Sequence, residues 1–281
     1  MRKVNALSYS GFQLWSNDPE AFYMRFLSEA KTPREPQSLP AAIGGAFDAI
    51  VKTELQSALR LDHFRFGDLF ENQVEPQCRD AALEHGKYLL ESYKTSGAYT
   101  DLLNILRYSS HIAMDVSYTR RVCGVKLTGQ PDLSFEYHGI NYILDWKVRS
   151  FLSQCSPTPG YVICRDGYSD GRKATRFNGQ PHGKAKLIDN FDPRTSEEFT
   201  TEYADQITIY QWLLGIDTIA WVDELCSKGN KRIRVATHRG LITNKQELLS
   251  KLQTLWQHVQ TNTVIPLERQ KILDKAARYA A

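Results

Sequence analysis

Gly129-Gln130-Pro131-Asp132-Leu133 and Tyr142-Ile143-Leu144-Asp145-Trp146-Lys147-Val148 are separated by a turn signal at His138-Gly139. Residues 121–137 are rich in β-formers and residues 140–148 are strongly strand-like, so the two runs are expected on paired strands. Alternate residues of a strand share a face. Asp145 and Lys147 therefore project together, and Leu144, Trp146 and Val148 take the other side. Unpaired charge is costly to bury, so two charged groups inside an apolar strand need a reason. With Asp132 on the neighbouring strand, two carboxylates and one ammonium converge.

That trio suits phosphodiester cleavage. Two hard oxygen ligands can hold Mg²⁺, and a bound ion polarises a phosphate and lowers the pKa of a coordinated water. The Lys147 ammonium can orient that water or neutralise charge that develops on the phosphate. The Trp146 backbone carbonyl, between the two charged side chains, offers a further ligand. The competing reading is an ordinary surface Asp-x-Lys pair. Against it stand the apolar strand and the Pro131-Asp132 step at hairpin distance.

The rest of the chain supplies helices on either side. Residues 7–27 carry Phe12, Leu14, Trp15, Phe22, Tyr23, Phe26 and Leu27 at mostly helical spacings, and Asn17-Asp18-Pro19 restarts the helix. Residues 31–40 hold three prolines and read as a linker. Helices are expected over 43–59, 79–93 and 100–114. After the strands, 153–200 reads as an irregular insertion with one short hairpin around 161–164. Such length is more often a functional loop than a passive connector. A helix over 203–214 ends at Gly215, strands follow at 218–225 and 231–237, and a helix over 244–260 buries one apolar stripe. The fold class is α/β (α+β), a central mixed sheet flanked by helices after an N-terminal helical region. One domain over 1–281 is expected: a mainly helical part at 1–115, a catalytic core at 119–225, and a C-terminal strand and helices at 226–281.

Several motifs, in order, resemble the PD-(D/E)XK nuclease superfamily in its RecB-like branch. Pro131-Asp132 with Asp145-Trp146-Lys147 resembles the signature itself, and Gln206-Ile207-Thr208-Ile209-Tyr210 resembles the branch's Gln-x-x-x-Tyr motif. Ser8-Tyr9-Ser10, Asp18-Pro19, Phe22 and Leu27 resemble its opening helices, and so does Gly44-Gly45-Ala46-Phe47-Asp48. The resemblance runs, with gaps, from about residue 7 to 210. It implies a restriction-endonuclease-like core, with Asp132 and Asp145 as metal ligands and Lys147 as the catalytic lysine. Gln206 and Tyr210, one helical turn apart, would support the site or contact the DNA backbone. Asp48 stands where relatives commonly carry a metal-binding histidine, and aspartate is an acceptable, harder ligand for Mg²⁺ or Mn²⁺.

The implied activity is a stand-alone Mg²⁺- or Mn²⁺-dependent deoxyribonuclease of bacterial or bacteriophage type. An exonuclease processing DNA ends in recombination, repair or replication comes first, and a structure-specific or flap endonuclease second. The third reading is a DNA-binding or assembly factor that keeps the fold with weak catalysis. Some RecB-like relatives bind an iron–sulfur cluster through one upstream and three downstream cysteines. Here only Cys226 follows Tyr210 and no cysteine precedes Gly44, so no cluster is expected.

Composition bounds the partners. The formal charge of +3 says little by itself. The insertion, however, brings Arg149, Arg165, Arg172, Lys173, Arg176, Lys184 and Lys186 together with Tyr161, Tyr168 and Phe177. Such a loop can neutralise phosphates and stack bases, and DNA is the expected partner. No phosphate-binding Gly-x-x-x-x-Gly-Lys loop occurs, so unwinding would need a separate helicase. A recombinase or a single-strand-binding protein is a further candidate partner, and the oligomeric state is open. No run approaches eighteen apolar residues and no leader follows Met1-Arg2-Lys3, so no membrane association is expected. Five cysteines without a C-x-x-C pair fit a reducing cytoplasm, the host's if the chain is phage-encoded.

Overall fold

The computed structural model describes residues 3–29, 35–61, 64–150, 162–165, 168–169, 172–173, 201–226, 235–239 and 243–280. Leu7 bonds the backbone of the Lys126–Thr128 segment, and Ser8 then caps α1 (Tyr9–Asn17) by accepting from the Gly11 amide. Asp18 caps α2 (Pro19–Phe22), which widens into a π-helical turn at Tyr23–Leu27. Short polar side chains before a helix satisfy amides that have no partner in the first turn. Next come α3 (Leu39–Leu59), α4 (Phe66–Gln73), α5 (Arg79–Ser96) and α6 (Ala98–Leu106). Gly86 lets α5 approach α3, since a Cβ there would meet Ile50 at 2.9 Å and the Phe47 backbone at 3.1 Å.

The strands are β1 (Ser110–Met114), β2 (Tyr118–Val122), β3 (Val125–Gly129), β4 (Leu133–Tyr137), β5 (Ile140–Arg149), β6 (Val162–Arg165), β7 (Tyr168–Ser169) and β8 (Arg172–Lys173). Helix α7 (Thr201–Leu214) leads into β9 (Ile219–Cys226) and β10 (Val235–Arg239), and α8 (Lys245–Thr261) and α9 (Leu267–Ala280) complete the chain. The main sheet runs β1-β4-β5-β9-β10-β6. Its central β5–β9 pair is parallel and the other pairs are antiparallel. This mixed α/β fold, with its N-terminal helical region, is compatible with the restriction-endonuclease-like core expected from the motifs.

Two cores form because side chains alternate across the sheet. Leu144, Trp146, Trp221 and Leu225 face α3, α5 and α6. Ile143, Ala220 and Val222 face α1, α7, α8 and the β2–β3 hairpin. The stripe expected on α8 is buried through Leu248, Leu252, Leu255 and Val259, with Asn244 as its N-cap. Trp15, Phe22 and Tyr23 also belong to this second core or pack against it.

Three expectations are corrected. The helix over 100–114 ends at Leu106, and Ser110–Met114 is the edge strand β1. A run as short as His111-Ile112-Ala113-Met114 does not reveal its period. Val162–Arg165, expected in a local hairpin, pairs among the described residues antiparallel with β10. Helices α4 and α9 were not anticipated, and α9 has so many charged residues that its apolar stripe is thin. Among the described residues, no helix is long and apolar enough to cross a membrane. The turn at 228–230 and most of the insertion lie outside the described residues.

Candidate functional site

Strand register builds the centre of the site. Met114 is paired with Leu133, and Leu133 with Leu144. One residue further along, Asp115 and Asp132, just beyond the ends of β1 and β4, therefore stand side by side with Asp145 in the middle of β5. Asp115 turns there through a left-handed backbone conformation, φ 57°, which aspartate tolerates better than most side chains. Asp132 Oδ2 accepts the Trp146 amide at 2.7 Å, which fastens it to β5 beside Asp145. The Lys147 ammonium pairs with the Asp145 carboxylate. The Trp146 indole points to the other face and donates to the Tyr93 hydroxyl at 3.3 Å, and that hydroxyl donates to buried Asp223.

Helix α3 closes one side of the row with Asp48 and, one turn later, Lys52. The Lys52 side chain is 1% exposed, and its ammonium lies 2.7 Å from Asp48, 2.7 Å from Asp115 and 3.9 Å from Asp132. Gln73 of α4 donates to Asp48 Oδ2 at 2.8 Å. Helix α7 closes the other side. Gln206 Nε2 donates to the Tyr210 hydroxyl at 2.8 Å, and that hydroxyl donates to the Gln130 carbonyl at 3.3 Å. Gln130 Nε2 in turn reaches Asp115 Oδ1 at 3.3 Å. The approach of α7 needs Gly129, because a Cβ there would come within 2.7 Å of the Tyr210 ring. A continuous polar chain thus runs from Gln206 through Gln130, Asp115, Lys52 and Asp48 to Gln73.

The electrostatics are those of crowded acids. Burial pushes the Asp132 carboxyl well above the usual range, and the Asp145 and Asp48 charges push it further. Burial also raises Asp48, against the pull of Lys52 and Gln73. Burial alone would lower both lysines. Lys52 is nevertheless raised by Asp132, Asp48 and Asp115, and Lys147 by Asp145 and Asp132. Burial and the same two aspartates lift the Tyr210 phenol, so it stays a neutral donor.

The buried side-chain atoms without a hydrogen-bond donor include Asp48 Oδ1, Gln73 Oε1, Asp115 Oδ2 and Asp145 Oδ2. Lysine ammonium groups lie against Asp48 Oδ1 and Asp145 Oδ2, so those two oxygens are shared with ion pairs. Hard, under-satisfied oxygens in one place are the donor chemistry a divalent cation requires. Yet among the described residues no three acidic, histidine or cysteine side chains already converge as a ready coordination shell. The physical reason is visible: two ammonium groups stand among the carboxylates. A cleft of about 230 Å³, lined in part by Gly44, Gly45, Asp48, Gln73, Asp132 and Trp146, opens onto the row.

Asp48, Asp132, Asp145, Lys147, Gln206 and Tyr210 are thus gathered within one network. Lys52, Asp115 and Gln73 were not singled out from the sequence. Lys52 did carry a signal, an opposite charge one turn from Asp48 on a helix whose other residues up to Val51 are uncharged. Asp115 and Gln73 carry none, since only strand register and helix packing bring them in. Arg149, the last residue of β5, lies 4.0 Å from Glu224 and 5.9 Å from the Tyr203 ring centre. Arg165 lies on β6, and Arg172 and Lys173 on β8, where the backbone alone is described. Arg176, Lys184 and Lys186 lie outside the described residues. Of the cysteines, Cys226 is buried, Cys78 half-buried and Cys123 exposed.

No protein-family model matches the chain, and no curated protein does. Among solved structures, it is similar to a protein of Eubacterium rectale that carries a provisional exonuclease description. That likeness has 13% identity and a TM-score of 0.45, over 97% of this chain and 82% of the other. A second similar structure is that of SSO0001, at 11% identity and a TM-score of 0.31, over 86% of this chain and 84% of that one.

Proposed function

We propose that the chain is a divalent-metal-dependent deoxyribonuclease of the PD-(D/E)XK type, hydrolysing phosphodiester bonds from DNA ends as an exonuclease. The observation that carries this reading is the placement of Asp132 beside Asp145, tied through the Trp146 amide, with Lys147 on the Asp145 carboxylate. Asp132, Asp145 and the Trp146 carbonyl would hold Mg²⁺ or Mn²⁺, and Asp48, shared with Lys52 and Gln73, lies with Asp132 beside the cleft. When bound, such an ion polarises the phosphate and acidifies a water.

The chain's own groups do the remainder. Lys147, 27% exposed, can reach a phosphate oxygen and stabilise charge that appears there during attack. Tyr210 and Gln206 brace the Gln130 carbonyl, and so fix the loop that carries Asp132. Arg149, at the end of the same strand, is placed to neutralise a neighbouring phosphate of the bound DNA. Processing of ends in recombination, repair or replication, alongside a helicase, recombinase or single-strand-binding protein, is the setting this chemistry would serve.

The test is cleavage of end-labelled linear and covalently closed circular DNA, single- and double-stranded, in Mg²⁺, Mn²⁺ and EDTA. Metal-dependent loss of the linear forms alone supports an exonuclease, and cutting of circles makes it an endonuclease. DNA binding by folded protein without cleavage in any metal would favour an assembly factor. Lys147→Ala should cut at least about 10²-fold more slowly while retaining DNA binding by gel shift. Cleavage at the wild-type rate would remove Lys147 from the mechanism.

A further inference from the structure

We propose that the Lys52 ammonium is a built-in cation of this site and sets its capacity at one divalent ion. The inference rests on the metal-dependent reading above. Lys52 Nζ lies among carboxylates from three separate elements: Asp48 on α3, Asp115 after β1, and Asp132 before β4. Acids gathered from distant parts of a chain around one point form the setting in which proteins hold a metal. Here a side chain supplies the positive charge.

Its burial makes this a fixed feature. The Lys52 side chain is only 1% exposed, and its neighbours on α3, Ala49, Val51 and Leu55, are fully buried. A buried ammonium is tolerated only when paired and hydrogen-bonded. Two of its three donors go to Asp48 and Asp115, so withdrawing it would leave each acid with only its glutamine donor, Gln73 or Gln130. The place between Asp48, Asp115 and Asp132 is therefore taken.

The charge count agrees. With a cation bound and every carboxyl ionised, Asp48, Asp115, Asp132 and Asp145 would bring four negative charges, and their ion-pair partners Lys52 and Lys147 would return two. The remaining two would match one divalent ion on the Asp132–Asp145 side, next to the Asp145–Lys147 pair. Without Lys52 the surplus becomes three and the second place opens.

The test counts Mn²⁺ bound to the EDTA-stripped, full-length protein. Equilibrium dialysis and loss of the free-ion paramagnetic resonance signal give the number, and circular dichroism checks the fold. The wild type should bind one ion per chain, K52R one, and K52M two. Two ions on the wild type would overturn the role of Lys52 and leave the nuclease reading standing, whether or not K52M folds. One ion on folded K52M would overturn it as well. No ion on the wild type would overturn both this inference and the metal-dependent reading beneath it.

Discussion

Trp146 sits between Asp145 and Lys147 on β5 and serves both faces of the sheet. Its amide holds Asp132, and its indole leans on Tyr93, whose hydroxyl donates to Asp223. Tyr93 is fully buried, as Asp223 very nearly is, so the lost bond has no water to replace it. Tyr93→Phe should lower stability by about 1–3 kcal/mol in urea unfolding, with the metal count unchanged. A loss below about 0.5 kcal/mol would mean that this bond contributes little. The charged pair on β5 was legible because strand alternation converts Asp145-Trp146-Lys147 directly into geometry. The third aspartate of the row was not, since nothing near Asp115 tells which strand edge it will meet.

Helix α9 shows how an element can escape notice and still fasten the molecule. Tyr23 and Ser28 donate to Asp274 at 3.0 and 2.5 Å, and Arg269 forks onto Glu20 at 2.7 and 2.8 Å. Its apolar side is slight, so periodicity had little to report, whereas the dense stripe of α8 announced itself. Burial, and then the bond to Asp274, push the Tyr23 phenol up to about 12. A raised pKa means that the folded state holds the proton more tightly. The stabilisation is therefore complete below the ordinary value of 10 and is lost as pH rises toward 12. The melting temperature of the wild type should fall more steeply between those values than that of Tyr23→Phe. Parallel curves would show that the clasp does not depend on this proton.

The whole molecule consists of two cores that share one sheet, and adjacent residues of β5 anchor opposite sides. Ile143 is buried against α1, α7 and α8, and Leu144 against α3, α5 and α6. Ile143→Ala and Leu144→Ala should each cost about 2–5 kcal/mol and shift a single unfolding transition, read alike by fluorescence and circular dichroism. A separate early transition in either variant would show that its half melts independently. The general architecture was legible because helices with broad apolar faces and strands with alternating ones have distinct periods. The edge positions of β1 and β6 were not, because short strands are defined by the partner they find.

The parallel pairing of β5 with β9 also governs when the site can exist. The acids of the row and both lysines are all translated before α7, but the strand that flanks β5 comes only after the long crossover. Closing such a loop costs chain entropy before any contact offsets it. A growing chain that has not yet reached Ile219–Cys226 thus carries the acids beside β1 and β4 and on β5 without the parallel strand that covers the open edge of β5. On the ribosome, the proposed site is completed late, after nearly all of its residues have been made.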